Sequence, residues 1–82
     1  MRKFVIRVEE RQIEQLTKDI ADKLDCDYNI HRLDSNDVPY YEFLITFLGE
    51  NLPAQDIIDT YKEECRDYFI KMEEVDESFD IV

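Results

Sequence analysis

The side chains best suited to nucleophilic chemistry lie close together near the middle of the sequence. His31 is the only histidine, and Cys26, Asp27 and Asp34 lie within five residues of it. A cysteine nucleophile needs its histidine base within hydrogen-bonding reach. In the extended segment predicted here, Cys26 lies at the start of the strand and His31 lies further along it. The sequence therefore predicts a partly exposed structural histidine, no catalytic residues and no enzymatic activity.

Metal-binding and phosphate-binding motifs are missing from the sequence. Structural zinc sites use four Cys or His ligands, whereas this chain has one His and two Cys that are 39 positions apart. Phosphate-binding loops depend on glycine, and the chain has one glycine. The acidic run at 73–80 lacks the glycine and the ligand spacing of a calcium loop. We therefore expect neither a bound metal ion nor a cofactor.

The composition is that of one small acidic domain spanning 1–82. The chain is 44% hydrophobic, with five Phe and five Tyr, which suffices for a core. Its net charge of −11 repels nucleic acid and anionic membranes and favours basic partners. No apolar run is long enough for a signal peptide or a membrane span, and two distant cysteines favour a reducing compartment. We expect a cytoplasmic protein that binds neither nucleic acid nor a membrane directly.

The negative charge is concentrated in the second half of the chain. Residues 1–39 hold seven basic and nine acidic side chains, whereas residues 40–82 hold three basic and twelve acidic ones. Such an asymmetry is typical of a surface that meets a basic partner. Solubility alone is the competing explanation, and the sequence leaves both open.

Hydrophobic periodicity predicts most of the secondary structure. Alternating apolar residues indicate a strand at 3–9, a second at 27–33 and a third, apolar on both faces, at 40–49. A stripe at steps of three and four predicts a helix over 10–24. Turn-forming residues occupy 34–39.

A second helix is predicted from Pro53 to about residue 75. Proline suits the first turn of a helix, and no Gly, Pro or Asn interrupts the apolar period that follows. In this helix Cys65 lies on the apolar stripe and acts as a small buried hydrophobe. The alternative ends the helix near Cys65 and makes a strand of YFIKM. In either case, residues 78–82 form a short edge strand or an irregular end.

The predicted order is strand, helix, strand, strand, helix and a possible last strand. This order resembles the ferredoxin-like sandwich. The resemblance implies an α+β, two-layer fold with two helices on one face of an antiparallel sheet of three or four strands. It is a resemblance in element order alone, so it implies no function.

The acidic residues of the predicted second helix gather opposite its apolar stripe. Acids one turn apart are about 5–6 Å from each other, which is comparable with the separation of phosphates along a nucleic-acid strand. Ile70 falls among them, either as an exposed apolar anchor or because the helix ends earlier. The predicted partner-binding residues are Asp56, Asp59, Glu63, Asp67, Ile70, Glu74 and Glu77.

Two functions from different classes follow. The first is a binding inhibitor that mimics nucleic-acid charge and occludes the basic groove of a nuclease or another nucleic-acid-binding protein. In size, acidity and lack of catalytic motifs, the chain is similar to small phage-encoded anti-defence proteins of the anti-CRISPR or anti-restriction type. That likeness implies action in the host cytoplasm.

The second is a homo-oligomeric interaction or regulatory module that uses the sheet face opposite the helices. Exposed apolar patches mark interfaces, and a homodimer packed sheet to sheet is the simplest case. The predicted residues of this face are Val5, Leu33, Tyr40, Leu44 and Leu48.

Overall fold

Two helices and four strands form two layers. The computed structural model describes residues 1–9, 12–33 and 40–79. The elements in chain order are β1 (Arg2–Glu9), α1 (Ile13–Leu24), β2 (Asp27–Leu33), β3 (Tyr40–Leu48), α2 (Ala54–Glu64), a 3-10 turn (Arg66–Tyr68) and β4 (Phe69–Val75). The strands form one antiparallel sheet in the order β2-β3-β1-β4. The predicted α+β fold with ferredoxin-like order is confirmed, in its four-stranded form.

The core lies between the helices and one face of the sheet. Phe4, Ile6 and Val8 on β1 are each 0% exposed, because alternate residues of a strand point to the same face. β3 lies beside β1 and supplies Phe47 and Ile45 to the same layer, both 0% exposed. The rings of Phe4 and Phe47 meet edge to face with centroids 6.2 Å apart. The two central strands therefore carry the largest buried side chains of the sheet.

α1 packs on this layer through the stripe that its sequence predicts. Ile13, Ile20 and Ala21 are buried. Leu16 and Leu24, on the same stripe, are partly buried against the core. The helix ends at Leu24, and the capping residue Asp25 has a φ of 52°, in the left-handed region. Aspartate tolerates this conformation better than most residues, so the helix ends without a glycine.

α2 is eleven residues long and ends at Glu64, so the predicted helix to about residue 75 is wrong. The Cys65 N–H bonds to the carbonyl of Tyr61, and the Tyr68 N–H bonds to the carbonyl of Cys65, each at 2.9 Å. Phe69 is already extended, with φ −93° and ψ 129°. A single 3-10 turn is therefore enough to convert the helix into β4.

Pairing with β1 explains why this segment is a strand. Met72 lies opposite Ile6, and Val75 lies opposite Lys3. Phe69 and Met72 belong to the core cluster in the strand, and they would also fall on the apolar stripe of a helix. The local pattern therefore suits both structures, and the free edge of β1 decides between them through backbone hydrogen bonds. The alternative that ended the helix near Cys65 is the correct one.

Some boundaries of α2 and of the last segment differ from the predicted ones. Pro53 lies immediately before α2, so it is not the first helical residue as predicted. The segment 76–79 forms a turn in which the Ser78 N–H and hydroxyl both bond to the Asp76 carboxylate. These hydrogen bonds lower the pKa of Asp76. The predicted turn at 34–39 lies outside the described residues, as do residues 80–82 of the possible end strand at 78–82, whose first two residues belong to the turn just described.

One buried polar contact joins the two helices. The hydroxyl oxygens of Thr17 on α1 and Tyr61 on α2 are 2.6 Å apart, and both residues are 0% exposed. Burial raises the pKa of Tyr61 well above its ordinary value, so the hydroxyl stays protonated. Each hydroxyl therefore depends on the other for its hydrogen bond.

Removing either hydroxyl is expected to destabilise the protein. Tyr61→Phe or Thr17→Val should each lower the free energy of unfolding by about 1–2 kcal/mol, because the remaining hydroxyl is buried without a partner. The double variant should lose less than the sum of the two single variants. Urea unfolding followed by circular dichroism measures the free energy of unfolding of the wild-type protein, the two single variants and the double variant. Strictly additive losses of this free energy would show that the contact contributes nothing.

Candidate functional site

The outward side of α2 carries the candidate partner-binding surface. Ile57 and Tyr61 fix the inward side of the helix, since both are buried in the core. At about 100° per residue, Asp56, Asp59 and Glu63 lie on the opposite side, and all three are exposed. The hydrophobic stripe thus sets the direction in which these carboxylates point.

The 3-10 turn extends this surface beyond the helix. We define the acidic face as the five exposed carboxylates between residues 56 and 67, against which the same stretch offers only Lys62 and Arg66. Four of the predicted partner-binding acids therefore lie on this surface, although they belong to two elements, α2 and the 3-10 turn. The acidic face consists of Asp56, Asp59, Glu63, Glu64 and Asp67.

The carboxylates of the acidic face are weakly compensated. The Arg66 guanidinium lies 4.0 Å from Glu63, at the limit of an ion pair, and both side chains are more than 70% exposed. Asp59 accepts a hydrogen bond of 2.8 Å from the uncharged amide of Gln55. Asp56, Glu64 and Asp67 form no ion pair with any described residue. Exposed contacts of this kind neutralise little charge.

α1 carries a more balanced surface. Its Lys18 ammonium donates a hydrogen bond of 3.0 Å to Asp22, which is one turn further along. This contact raises the pKa of Lys18. Three acidic and two basic side chains are mixed along this helix. The exposed charges of α1 are therefore of mixed sign and partly paired, whereas those of α2 are mostly negative and weakly compensated.

The structure separates the rest of the predicted row. Glu74 lies on β4 and accepts a hydrogen bond of 2.6 Å from Arg2. Glu77 lies in the last turn, 3.7 Å from the amino group of Met1. The prediction that these acids share one helix with Asp56 is wrong, because the chain changes direction after Cys65. Their role in binding a partner stays a prediction.

Ile70 lies at an irregularity of β4. The register between β4 and β1 shifts at this point, since Lys71 pairs with Arg7 and Phe69 pairs with Val8. Ile70 is the extra residue between the two pairs, and it is 50% exposed. An inserted residue leaves the pairing pattern and bends the strand. The helix ends before Ile70, as one interpretation predicted, and whether the exposed side chain anchors a partner stays a prediction.

The predicted oligomer face lies opposite the helices. At its centre Val5 and Leu44 pair across β1 and β3 and are only 7% and 6% exposed. The next cross-strand pair on the same face is the ion pair of Arg7 with Glu42, at 3.6 Å. Leu48 at the far end is 41% exposed. The apolar surface of this face is small and interrupted by charge.

The predicted residues at the margin of this face are Leu33 and Tyr40, both of which are partly buried. They lie at neighbouring ends of β2 and β3. At the opposite end of the same face, the Lys3 ammonium donates to the carbonyl of Phe79 at 2.9 Å. The last described turn therefore also borders the face opposite the helices. Whether any of these residues meets a second copy stays a prediction.

The nucleophile candidates are apart in the fold. His31 is exposed on β2, and Cys26 precedes that strand. Cys65 is buried beneath α2, as its position on the apolar stripe predicted. Among residues 1–9, 12–33 and 40–79, no group of three or more His, Cys, Asp or Glu side chains is close enough to hold a metal ion. No helix in those ranges is both long and apolar enough to cross a membrane.

The two thiols are expected to differ in reactivity. Burial raises the pKa of Cys65 and, together with the charges of Asp27 and Asp25, that of Cys26. Because the thiolate is the reacting form, iodoacetamide should modify Cys26 more slowly than a free cysteine and Cys65 only on unfolding. Mass spectrometry of native and urea-treated protein measures both rates. Rapid labelling of Cys65 in the native protein would contradict the packing described above.

Sequence reasoning missed Glu64 and the space that it borders. Asp56, Thr60 and Glu64 recur every four residues and border the side of α2 that faces α1, so Asp56 and Glu64 form the edge of the acidic face that lies next to α1. The spacing was visible in the sequence, but the position of α1 beside it was not. Comparisons with protein families, with curated proteins and with solved structures returned no match.

Proposed function

We propose that the protein is a non-enzymatic inhibitor whose acidic face occupies the basic nucleic-acid-binding groove of a partner protein. The observation that carries this proposal is the set of five exposed, weakly compensated carboxylates between residues 56 and 67. Four of them lie on α2, which the buried Ile57 and Tyr61 anchor to the core, so these charges are held in a fixed arrangement rather than on a mobile tail.

The arrangement of charge supports a role beyond solubility. Asp59 and Glu63 are one turn apart on α2, and like charges at this spacing destabilise a helix. A surface that needed only solubility would gain from mixed signs, as on α1. A basic partner offsets this repulsion, so the acidic face is most favourable when it is bound.

The size of the surface suits a nucleic-acid groove. The eleven residues of α2 span about 16 Å at 1.5 Å per residue. A single nucleic-acid strand presents about five phosphates over that length. Four carboxylates of the acidic face lie on α2 over this length, which is close to that number of phosphates, and occlusion requires no chemistry from the inhibitor.

Long-range attraction sets the kinetics of the proposed complex. The excess of negative charge steers the protein towards basic surfaces and raises the association rate. The proposed partner is a nuclease or another nucleic-acid-binding protein, and the proposed setting is phage anti-defence in the host cytoplasm. Inhibition then consists of competition with the nucleic acid for one groove.

The proposal is tested by capture followed by displacement. Immobilised protein is incubated with native host lysate at about 0.1 M and about 1 M salt, where the Debye length is roughly 10 Å and 3 Å. A captured protein is purified and loaded with a labelled DNA or RNA duplex. We expect capture only at low salt and release of the duplex, measured by fluorescence anisotropy, as the inhibitor is added. Capture of a protein that keeps its nucleic acid bound would contradict the proposal.

A further inference from the structure

A groove runs between α1 and α2 beside the acidic face. Its best-defined part has a volume of about 190 Å³. Ile20 and Ile57 form its floor, and Leu24 and Pro53 form its walls. A second depression continues it along the helices towards Glu64. The groove thus has an apolar end near Leu24 and Pro53 and a more polar end near Glu64.

The rim of the groove is mostly negative. Asp56 and Glu64 lie on the α2 side, about 12 Å apart along the helix axis, and Asp19 and Asp22 lie on the α1 side. The Thr60 hydroxyl between them donates to the backbone carbonyl of Asp56 at 2.7 Å. Thr60 therefore leaves the Asp56 carboxylate available to a ligand.

Lys23 is the one cation that lines the groove among the described residues, and it forms no ion pair with them. It partly opposes the negative rim. Of the four rim carboxylates, Asp22 is paired with Lys18, and the other three still outnumber Lys23, so the groove favours a positively charged occupant. Replacing Lys23 with an uncharged residue therefore tests the groove, because the change should strengthen the binding of a cation there.

We propose that the groove receives an arginine side chain of the basic partner, an inference that rests on the proposed function. The methylene stem would lie on the apolar walls, and the guanidinium would bond to the Asp56 carboxylate. Arginine combines an apolar stem with a planar, weakly hydrated fork that fits a carboxylate. An uncharged apolar occupant would instead cover the rim carboxylates without pairing them, which is unfavourable.

Small guanidinium compounds test the groove without the partner. Butylguanidinium should shift the methyl NMR signals of Ile20, Leu24 and Ile57 in a saturable way, with about five- to tenfold higher affinity than methylguanidinium, because only its longer stem contacts the walls. Lys23→Gln should raise the affinity for butylguanidinium, whereas Lys62→Gln, away from the groove, should not. Equal affinity for both compounds, or shifts spread over all exposed carboxylates, would overturn the proposal.

A matched pair of arginine variants tests occupancy directly. Thr60→Arg places a guanidinium in the groove and should abolish saturable binding of butylguanidinium. Gln55→Arg adds the same charge to the outward side of α2 and should leave that binding unchanged. Unchanged core amide signals show that both variants are folded. If both variants bind butylguanidinium equally well, the groove is not its site.

The partner assay separates this inference from the proposed function. With the captured nucleic-acid-binding protein, Thr60→Arg should raise the inhibitor concentration for half displacement at least tenfold more than Gln55→Arg does. If both raise it equally while the wild-type protein still displaces the duplex, the proposed function stands and the groove inference fails. If the wild-type protein displaces no duplex, the proposed function itself fails.

Discussion

Reversing three charges of the acidic face should weaken binding of the basic partner by at least about 100-fold. The variant carries Asp59→Lys, Glu63→Lys and Asp67→Lys. Each substitution removes an attraction and introduces a repulsion, and such contacts change affinity strongly when they face a complementary surface. Isothermal calorimetry with the captured partner measures the change. The loss should appear mainly at low salt, because screening already weakens the wild-type interaction at high salt.

A second variant with the same net charge is the control. Glu14, Asp27 and Glu50 are exposed, lie outside the acidic face and form no ion pair with the described residues. Changing these three to Lys takes the net charge from −11 to −5, as the first variant does. Its affinity should fall much less. Equal losses in the two variants would show that total charge, rather than the acidic face, is what the partner detects.

Replacing Phe47 with Ala should have the largest effect on the fold. Phe47 is 0% exposed and contacts Phe4 edge to face at the centre of the sheet. Removing a buried phenyl ring costs about 3–5 kcal/mol, and a domain of this length has a total stability of about 4–12 kcal/mol. We therefore expect a partly or largely unfolded population at 37 °C, measured by thermal unfolding.

Leu48→Ala is the matched control for this prediction. Leu48 is the next residue of β3, but it points to the other face and is 41% exposed. Its replacement should cost less than about 1 kcal/mol, since little apolar surface returns to water. Similar losses for the two variants would contradict the assignment of Phe47 to the helix side of the sheet.

Local pattern predicted the first three strands and the first helix because each has one dominant period. The observed β2 matches the predicted 27–33 at both ends. The segment after Cys65 has apolar residues that suit either a helix or a strand. Its structure depends on the free edge of β1, which lies more than sixty residues earlier in the chain. A contact at that distance leaves no trace in a local periodicity.

The residues of the candidate site were likewise predictable only where their positions follow from local periodicity. Asp56, Asp59 and Glu63 were predictable because their orientation follows from the buried stripe of their own helix. Glu74 and Glu77 were misplaced because they depend on the turn that ends α2. The interhelical groove was missed altogether, since it exists only where α1 and α2 lie side by side. Local periodicity therefore predicts which way a side chain points, but not which element lies beside it.

The salt dependence of partner binding tests the account most directly. Affinity for the captured partner is measured between about 0.05 M and 0.5 M salt for the wild-type protein and both triple lysine variants, with screening increasing over this range. We predict a steep loss of affinity with salt for the wild-type protein, a similar slope for the control variant and a nearly flat, weak response for the acidic-face variant. Binding that is independent of salt, or equal slopes for the two variants, would contradict a role for the acidic face.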